Sequence, residues 1–362
     1  MLVVFRDFSR NNSPANAHVV AVQSAHSVPT PRYGGIGILC GLLAGVVLIR
    51  EESRMIYTLF MLSTVPVFSA GLTEDLGFDV SPRKRLLAAA VSGSLAVILL
   101  QTWVTQLGIP FTGPLIAFAP FAIVFTVFAS SGICNAFNLI DGLNGLSAGT
   151  GVIVALGLSA LAIQSGLPDI AQMSFFVIAV LAGFLLFNYP FGKIFMGDAG
   201  AYSLGHILSW FAIYMVAHSP EMSPWAIVLV FFWPVADTFF AIYRRRRSGK
   251  ATDQPDRLHY HQLVMRALEI FWLGRDRRRI ANPLATLIMM PFISGPVVAG
   301  VLLWDNNAGA FGVVIVFAVL FVGSYFLGMR LAARRVFHVR RVRTPEPDPV
   351  TGETQPTIRR VA

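Results

Sequence analysis

Apolar residues in this chain run in blocks about as long as a hydrocarbon core is thick, and the polar residues gather between them. A helix needs about 20 residues to span a bilayer. Blocks of that order lie near 36–49, 55–72, 86–104, 115–133, 146–163, 173–187, 201–217, 225–243, 284–303 and 311–329. The first is short and glycine-rich. Period-two alternation, which marks a membrane strand of about ten residues, is absent. The pattern predicts an all-α polytopic membrane protein with about ten transmembrane helices.

Composition supports this. Hydrophobic residues make up 55% of the 362 and charged residues only 13%, where soluble domains carry about 25% charge; mean hydropathy is +0.65. There are too few charged side chains to coat a soluble fold of this size. Their placement predicts orientation. One set of connections holds Arg83, Lys84, Arg85, Lys193, the run 244–247, Arg257, Arg266 and the stretches 275–279 and 330–343. The other set has Arg50 and Arg54 beside Asp169, Glu221 and Asp305. An even number of spans with the basic side in the cytoplasm satisfies the positive-inside rule. The net charge of +9 is then mostly topological. Nucleic acid is not an expected partner, because the basic residues border hydrophobic spans. The two cysteines, Cys40 and Cys134, form no C-x-x-C or Cys/His metal spacing. Residues 1–28 form no clean span or signal peptide, 29–330 read as the membrane domain, and 331–362 as a basic, largely disordered tail. No internal repeat supports an inverted-repeat transporter.

Five polar clusters fall on the predicted cytoplasmic side. The first, Pro29-Thr30-Pro31-Arg32-Tyr33-Gly34-Gly35, puts a cation in a tight loop at the mouth of the first span. The second, at the end of the second span, contains Glu74 and Asp75, followed by Arg83, Lys84 and Arg85. Paired carboxylates at a membrane boundary are costly without a task or a cationic partner, although a solvated loop balanced by the basic trio would also hold them. Adjacent helix positions point about 100° apart, so the two acids are not expected to serve one atom.

In the third cluster Asn135, Asn138, Asp141 and Asn144 recur every three residues. On a helix that spacing stacks oxygen ligands of the kind hard cations such as Mg²⁺ prefer; polar contacts between helices are the alternative. The fourth, Met196-Gly197-Asp198-Ala199-Gly200, suits a helix cap equally well. The fifth is a long basic loop with Asp256, Arg257, His259 and His261, able to grip phosphates. Asp237 is left open between serving this site and pairing with the arginines that follow it. Together, carboxylates, amides and cations at one interface suit a reaction joining a soluble anionic donor to a lipid phosphate, by positioning and charge stabilisation.

The ordered motifs PTPRYGG, GLTEDL…SPRKRLL, NAFNLIDGLNGLSAG, FMGDAGAYSLG and DRLHYHQLV resemble those of the polyprenyl-phosphate N-acetylhexosamine-1-phosphate transferases, glycosyltransferase family 4. The resemblance covers Pro29 to about Met329, nearly the whole membrane core. It implies a Mg²⁺-dependent enzyme of the bacterial inner membrane with its active site facing the cytoplasm. Such an enzyme moves a sugar 1-phosphate from a UDP-N-acetylhexosamine to undecaprenyl phosphate, releases UMP, and initiates O-antigen, capsule or similar lipopolysaccharide or cell-wall synthesis.

By the same resemblance, Asp198 and Asn138 hold the metal, Asp141 supports metal or nucleotide, and Asp75 receives the proton of the lipid phosphate. Arg257, His259 and His261 contact donor phosphates or sugar, with Arg32, Glu74, Arg85, Asn135 and Asn144 also binding substrate; a homodimer is left open. Departures from the common pattern are Glu74 for Asp, Asn144 for the second Asp of DG-x-DG, Arg85 for Lys and Tyr260 within the histidine run. The resemblance also implies a first helix ahead of the PTPRYGG loop; residues 1–28 make no clean span, so either that helix is absent or the sequence starts short of it. Two rivals remain: the family's phospho-MurNAc-pentapeptide translocase, against which Asn144 and GDAGAYSLG weigh, and a non-catalytic multi-pass transporter.

Overall fold

Helices begin and end in this chain where charge, proline and glycine dictate. A computed structural model describes residues 30–249 and 258–342, and among these every regular element is a helix. Helix α1 spans Gly34–Leu48 and α2 Glu51–Asp75. Glu51 and Glu52 in the first turn of α2 complement the positive end of the helix dipole. Helix α3, Pro82–Leu100, opens with proline at its first position, where the missing N–H costs nothing. A single turn α4, Gly113–Ala117, precedes α5, Ala119–Ile140, so this span starts and finishes later than its apolar block. Helices α6 (Leu146–Gln164) and α7 (Pro168–Asn188) form a hairpin, and α8 is Gly197–His218.

The eighth apolar block is broken. It forms α9 (Pro224–Val230) and α10 (Phe232–Arg247), bent by 81°. Pro234 explains the break, since a proline ring clashes with the carbonyl four residues earlier, which here belongs to Val230. A short amphipathic helix α11 (Tyr260–Leu268) leads through a π turn (Glu269–Leu273) and a 3-10 turn (Arg275–Arg277) into α12 (Arg278–Leu302), and α13 runs Asn307–Val342. Residues 331–342, expected as tail, therefore continue the last helix. Residues 1–28 and the tail beyond residue 342 lie outside the described residues.

Seven of these helices are long and apolar enough to cross a membrane, eight if the bent pair is one span. The two other expected spans are also helical, but α1 has only 15 residues and α3 opens on Pro-Arg-Lys-Arg. The bundle is built around α8, whose apolar window is 94% buried, whereas that of α13 is 17% buried and looks outward. Large apolar side chains such as Leu48, Phe128 and Leu186 are exposed on the outer helices, as lipid contact requires. Glycines let neighbours approach α8 closely: Gly35 meets Gly200, Gly71 meets Ala199, and Gly205 meets Cys134. Contacts among Gly34, Asp75, Arg85 and residues 195–199 bring the starts of α1, α3 and α8 to the same end as the finish of α2.

Candidate active site

The start of α8 organises that end of the bundle. Gly197 takes a positive φ of 74°, and a Cβ there would strike the Arg32 carbonyl and the Asp75 carboxylate, so only glycine fits. The first amides of a helix lack partners within it. Here α2 supplies them: the Asp198 and Ala199 N–H groups donate to Asp75 Oδ1 and Oδ2 at 3.0 and 2.9 Å. The cap of α8 is thus a carboxylate from another helix, and the Asp75 side chain is wholly enclosed. Arg32 Nε lies 3.4 Å from Asp75 Oδ1, while its Nη2 donates to Asp198 Oδ1 at 2.7 Å. Arg85 Nη1 pairs with Asp198 Oδ2. Asp198 is therefore gripped by two guanidinium groups. Burial works against the charge on Arg32, but Asp198 and Asp75 outweigh it and raise its pKa.

Helix α5 stops at Ile140, which corrects the expectation that four oxygen-bearing residues form one helical stripe. Asn135 and Asn138 share the last turns of α5, and Asn135 Oδ1 accepts from the Tyr202 hydroxyl of α8 at 3.3 Å. Asp141 caps the helix end, half-buried, and among the described residues its carboxylate takes no hydrogen bond or ion pair. Burial pushes its pKa up to about 7; Arg32 opposes this, and Asp198 and Asp75 add to it. Asn144 leaves the stripe altogether because Gly142 and Gly145, the latter at φ 76°, turn the chain. Its Nδ2 donates to the Pro190 carbonyl at 2.8 Å and its backbone N–H to Asn282 Oδ1 at 2.8 Å.

The remaining expected residues divide. Glu74 accepts the Val80 N–H at 2.8 Å and so closes the α2–α3 loop, while its charge still acts on Arg32 and Arg85. His259 and His261 are buried and stacked, 5.7 Å between centroids. A Cβ on Gly142 would lie 2.8 Å from His261 Nε2, so this ring sits against the turn that follows Asp141. Burial lowers the His261 pKa to about 4, with Asp237 pulling the other way. Arg257 lies outside the described residues. Arg32, Asp75, Arg85, Asp141, Asp198 and the Asn135–Asn138 turn meet in one place, with the histidine pair beside it.

The donor chemistry suits a hard divalent cation. Among the described residues no three His, Cys, Asp or Glu side chains gather as a ready-made metal cage. Mg²⁺ needs no such cage, since it binds through one or two carboxylates plus substrate phosphates and water. Asp141 offers a carboxylate without a partner, and Asn138 an amide one turn back. Asp198 offers oxygens that Arg32 and Arg85 occupy, so one guanidinium must yield if it is to hold the ion.

Sequence reasoning missed the residues that hold these loops together. Asn188 accepts the Gly145 N–H at 2.6 Å and donates to the Ile194 carbonyl at 2.7 Å. Asn282 and Tyr202 act similarly on Asn144 and Asn135. Their one legible signal was an amide or hydroxyl at the edge of an otherwise apolar block.

The family described as glycosyl transferase family 4 matches residues 57–216. A probable undecaprenyl-phosphate N-acetylglucosaminyl 1-phosphate transferase of Bacillus subtilis (strain 168) is 32% identical over 248 residues, covering 67% of this chain and 68% of its own. An undecaprenyl-phosphate alpha-N-acetylglucosaminyl 1-phosphate transferase of Yersinia pestis is 30% identical over 251 residues, 67% of each chain. A decaprenyl-phosphate N-acetylglucosaminephosphotransferase of Mycobacterium leprae (strain TN) is 28% identical over 291 residues, 71% of this chain and 70% of its own.

Proposed function

Because this chain belongs to glycosyl transferase family 4, we propose that it transfers an N-acetylhexosamine 1-phosphate from a UDP-sugar to undecaprenyl phosphate. The reaction releases UMP and initiates a cell-envelope polysaccharide. The site faces the cytoplasm from the inner membrane, where the basic connections gather. The names of the relatives make N-acetylglucosamine the first sugar to test. The observation that carries the reading is the clamp of Arg32 and Arg85 on Asp198, with the unpaired Asp141 alongside, at one end of the bundle. Two diphosphate-binding cations and carboxylates able to share a metal are what phosphoryl transfer at an interface requires.

Arg32 and Arg85 balance the negative charge that grows as the lipid phosphate oxygen attacks the β-phosphorus of the donor. Asp75 orients the lipid phosphate through Arg32 and takes its proton once the clamp opens to substrate. When bound, Mg²⁺ on Asp198 and Asn138, with Asp141 in support, supplies Lewis-acid withdrawal of charge from the diphosphate. His259 and His261 flank the donor. Membranes containing the protein, incubated with radiolabelled UDP-N-acetylglucosamine, Mg²⁺ and undecaprenyl phosphate, test the reading. Label should enter a butanol-extractable lipid with release of UMP. Absence of lipid product with every UDP-N-acetylhexosamine tried, or product only with UDP-MurNAc-pentapeptide, would overturn it.

A further inference from the structure

Asp237 lies in α10 and is 2% exposed. A buried carboxylate is costly unless its oxygens are fully engaged. Both are. Oδ2 lies 2.8 Å from His259 Nδ1, and Oδ1 accepts the Tyr260 backbone N–H at 3.0 Å. The arginine nearest along its helix turns elsewhere: Arg244 donates to the Leu258 carbonyl and the Tyr325 hydroxyl. A carboxylate only accepts, so Nδ1 must carry a proton, and in the neutral ring Nε2 is then the lone-pair nitrogen. The second bond caps α11 at its first residue, fixing where His259 ends and the helix begins. His261, one residue into that helix, stacks on His259 with its planes 16° apart. Among the described residues its imidazole has no hydrogen-bond partner, and its Nε2 lies against Gly142. A single side chain therefore sets the tautomer of one ring and the stance of both.

We propose that Asp237 is a positioning residue for the transfer reaction, holding His259 as the Nδ1–H tautomer with Nε2 free to accept from the donor substrate, and locking the two histidines as one stack against the Asp141–Gly142 turn. This rests on the transferase reading above. Asp237→Asn tests it with little change in shape. The asparagine oxygen can still accept from Tyr260, but its NH₂ group must face Nδ1 as a donor, which forces the proton to Nε2. The expected result is a protein that melts like wild type, with kcat lowered about 10²–10⁴-fold, the range over which such groups act, and KM for the UDP-sugar changed far less. Asp237→Glu, which keeps an acceptor, should recover part of the rate. In a His259→Ala background, Asp237→Asn should cost nothing further, because it acts through that ring. Wild-type turnover in soundly folded Asp237→Asn, or a full additional loss in the His259→Ala background, would overturn the proposal.

Nitrogen NMR of ¹⁵N-histidine-labelled protein in micelles, with His259 assigned by His259→Gln, reads the tautomer without any enzymatic assay. Wild type should be protonated at Nδ1 and Asp237→Asn at Nε2. A wild-type ring protonated at Nε2 alone refutes the inference even if transfer is observed. Correct tautomers with no lipid product refute the transferase reading instead. Should Asp237→Asn not fold, the wild-type spectrum decides.

Discussion

Replacing Gly71 by alanine should silence the enzyme while leaving it folded. A Cβ on Gly71 would lie 2.5 Å from the Ala199 nitrogen, 2.6 Å from its Cα and 2.7 Å from the Asp198 carbonyl carbon. Those atoms are backbone and cannot rotate aside. Ordinary carbon contacts lie at about 3.5–4.0 Å, so α2 must retreat from α8 by about 1 Å. Asp75 sits one turn further along α2, and its bonds to the Asp198 and Ala199 amides, now 3.0 and 2.9 Å, would stretch beyond useful length. Overpacking of this kind costs about 1–3 kcal/mol. Alanine returns about 1 kcal/mol through its better helix propensity, so the net loss of stability is small. Catalysis is less forgiving, as a 1 Å misplacement is worth about 10²-fold in rate. Transfer of labelled sugar phosphate to undecaprenyl phosphate, measured beside thermal melting in detergent, separates the two effects. Gly37→Ala is the control, since a Cβ there meets nothing within 4 Å, and it should behave as wild type. A Gly71→Ala enzyme that turns over within threefold of wild type would refute the reasoning.

Asp141→Asn should flatten the pH dependence of melting. With its pKa raised to about 7 by burial, Asp141 keeps a proton in the folded chain that the unfolded chain has lost. Its contribution to stability is then complete below about pH 4 and fades as pH rises through 7, and the variant should gain on wild type near pH 8. Asn144→Asp, though it restores the commoner family residue, sets a carboxylate against the Pro190 carbonyl that Nδ2 now satisfies. It should destabilise by about 1–3 kcal/mol and raise no activity, as melting and transfer assays will report. Chelation with EDTA should abolish transfer and added Mg²⁺ restore it in wild type, whereas Asp198→Ala should stay inactive at any Mg²⁺ concentration.

Much of this was legible in the sequence because lipid leaves the chain few choices. Apolar blocks located each long helix, and charge asymmetry put Asp75, Asp141 and Asp198 on one side before any coordinates. The failures have local causes. Periodicity carried the asparagine stripe through to Asn144, but Gly142 and Gly145 end the helix first, and the side chain is spent on Pro190. The break at Val230 was readable from Pro234, yet apolar composition masked it. Asp237 could not be assigned, because its partner His259 lies 22 residues away and four arginines lie nearer in sequence. That α8 is capped by Asp75, rather than by its own Asp198, follows from the close approach allowed by Gly71 and Gly197, which no spacing rule encodes.

Capping at a distance has a consequence for biogenesis. The acid that completes the start of α8 is made 123 residues earlier than the amide it receives. While the ribosome is still delivering α3 to α7, that acid has nothing to hold, and a nascent chain halted before Gly197 cannot assemble a competent centre. The centre therefore begins to form only when the most deeply enclosed span is made, and it is complete only after Asp237, His259 and His261 have followed, so an unfinished chain has no means of consuming lipid carrier.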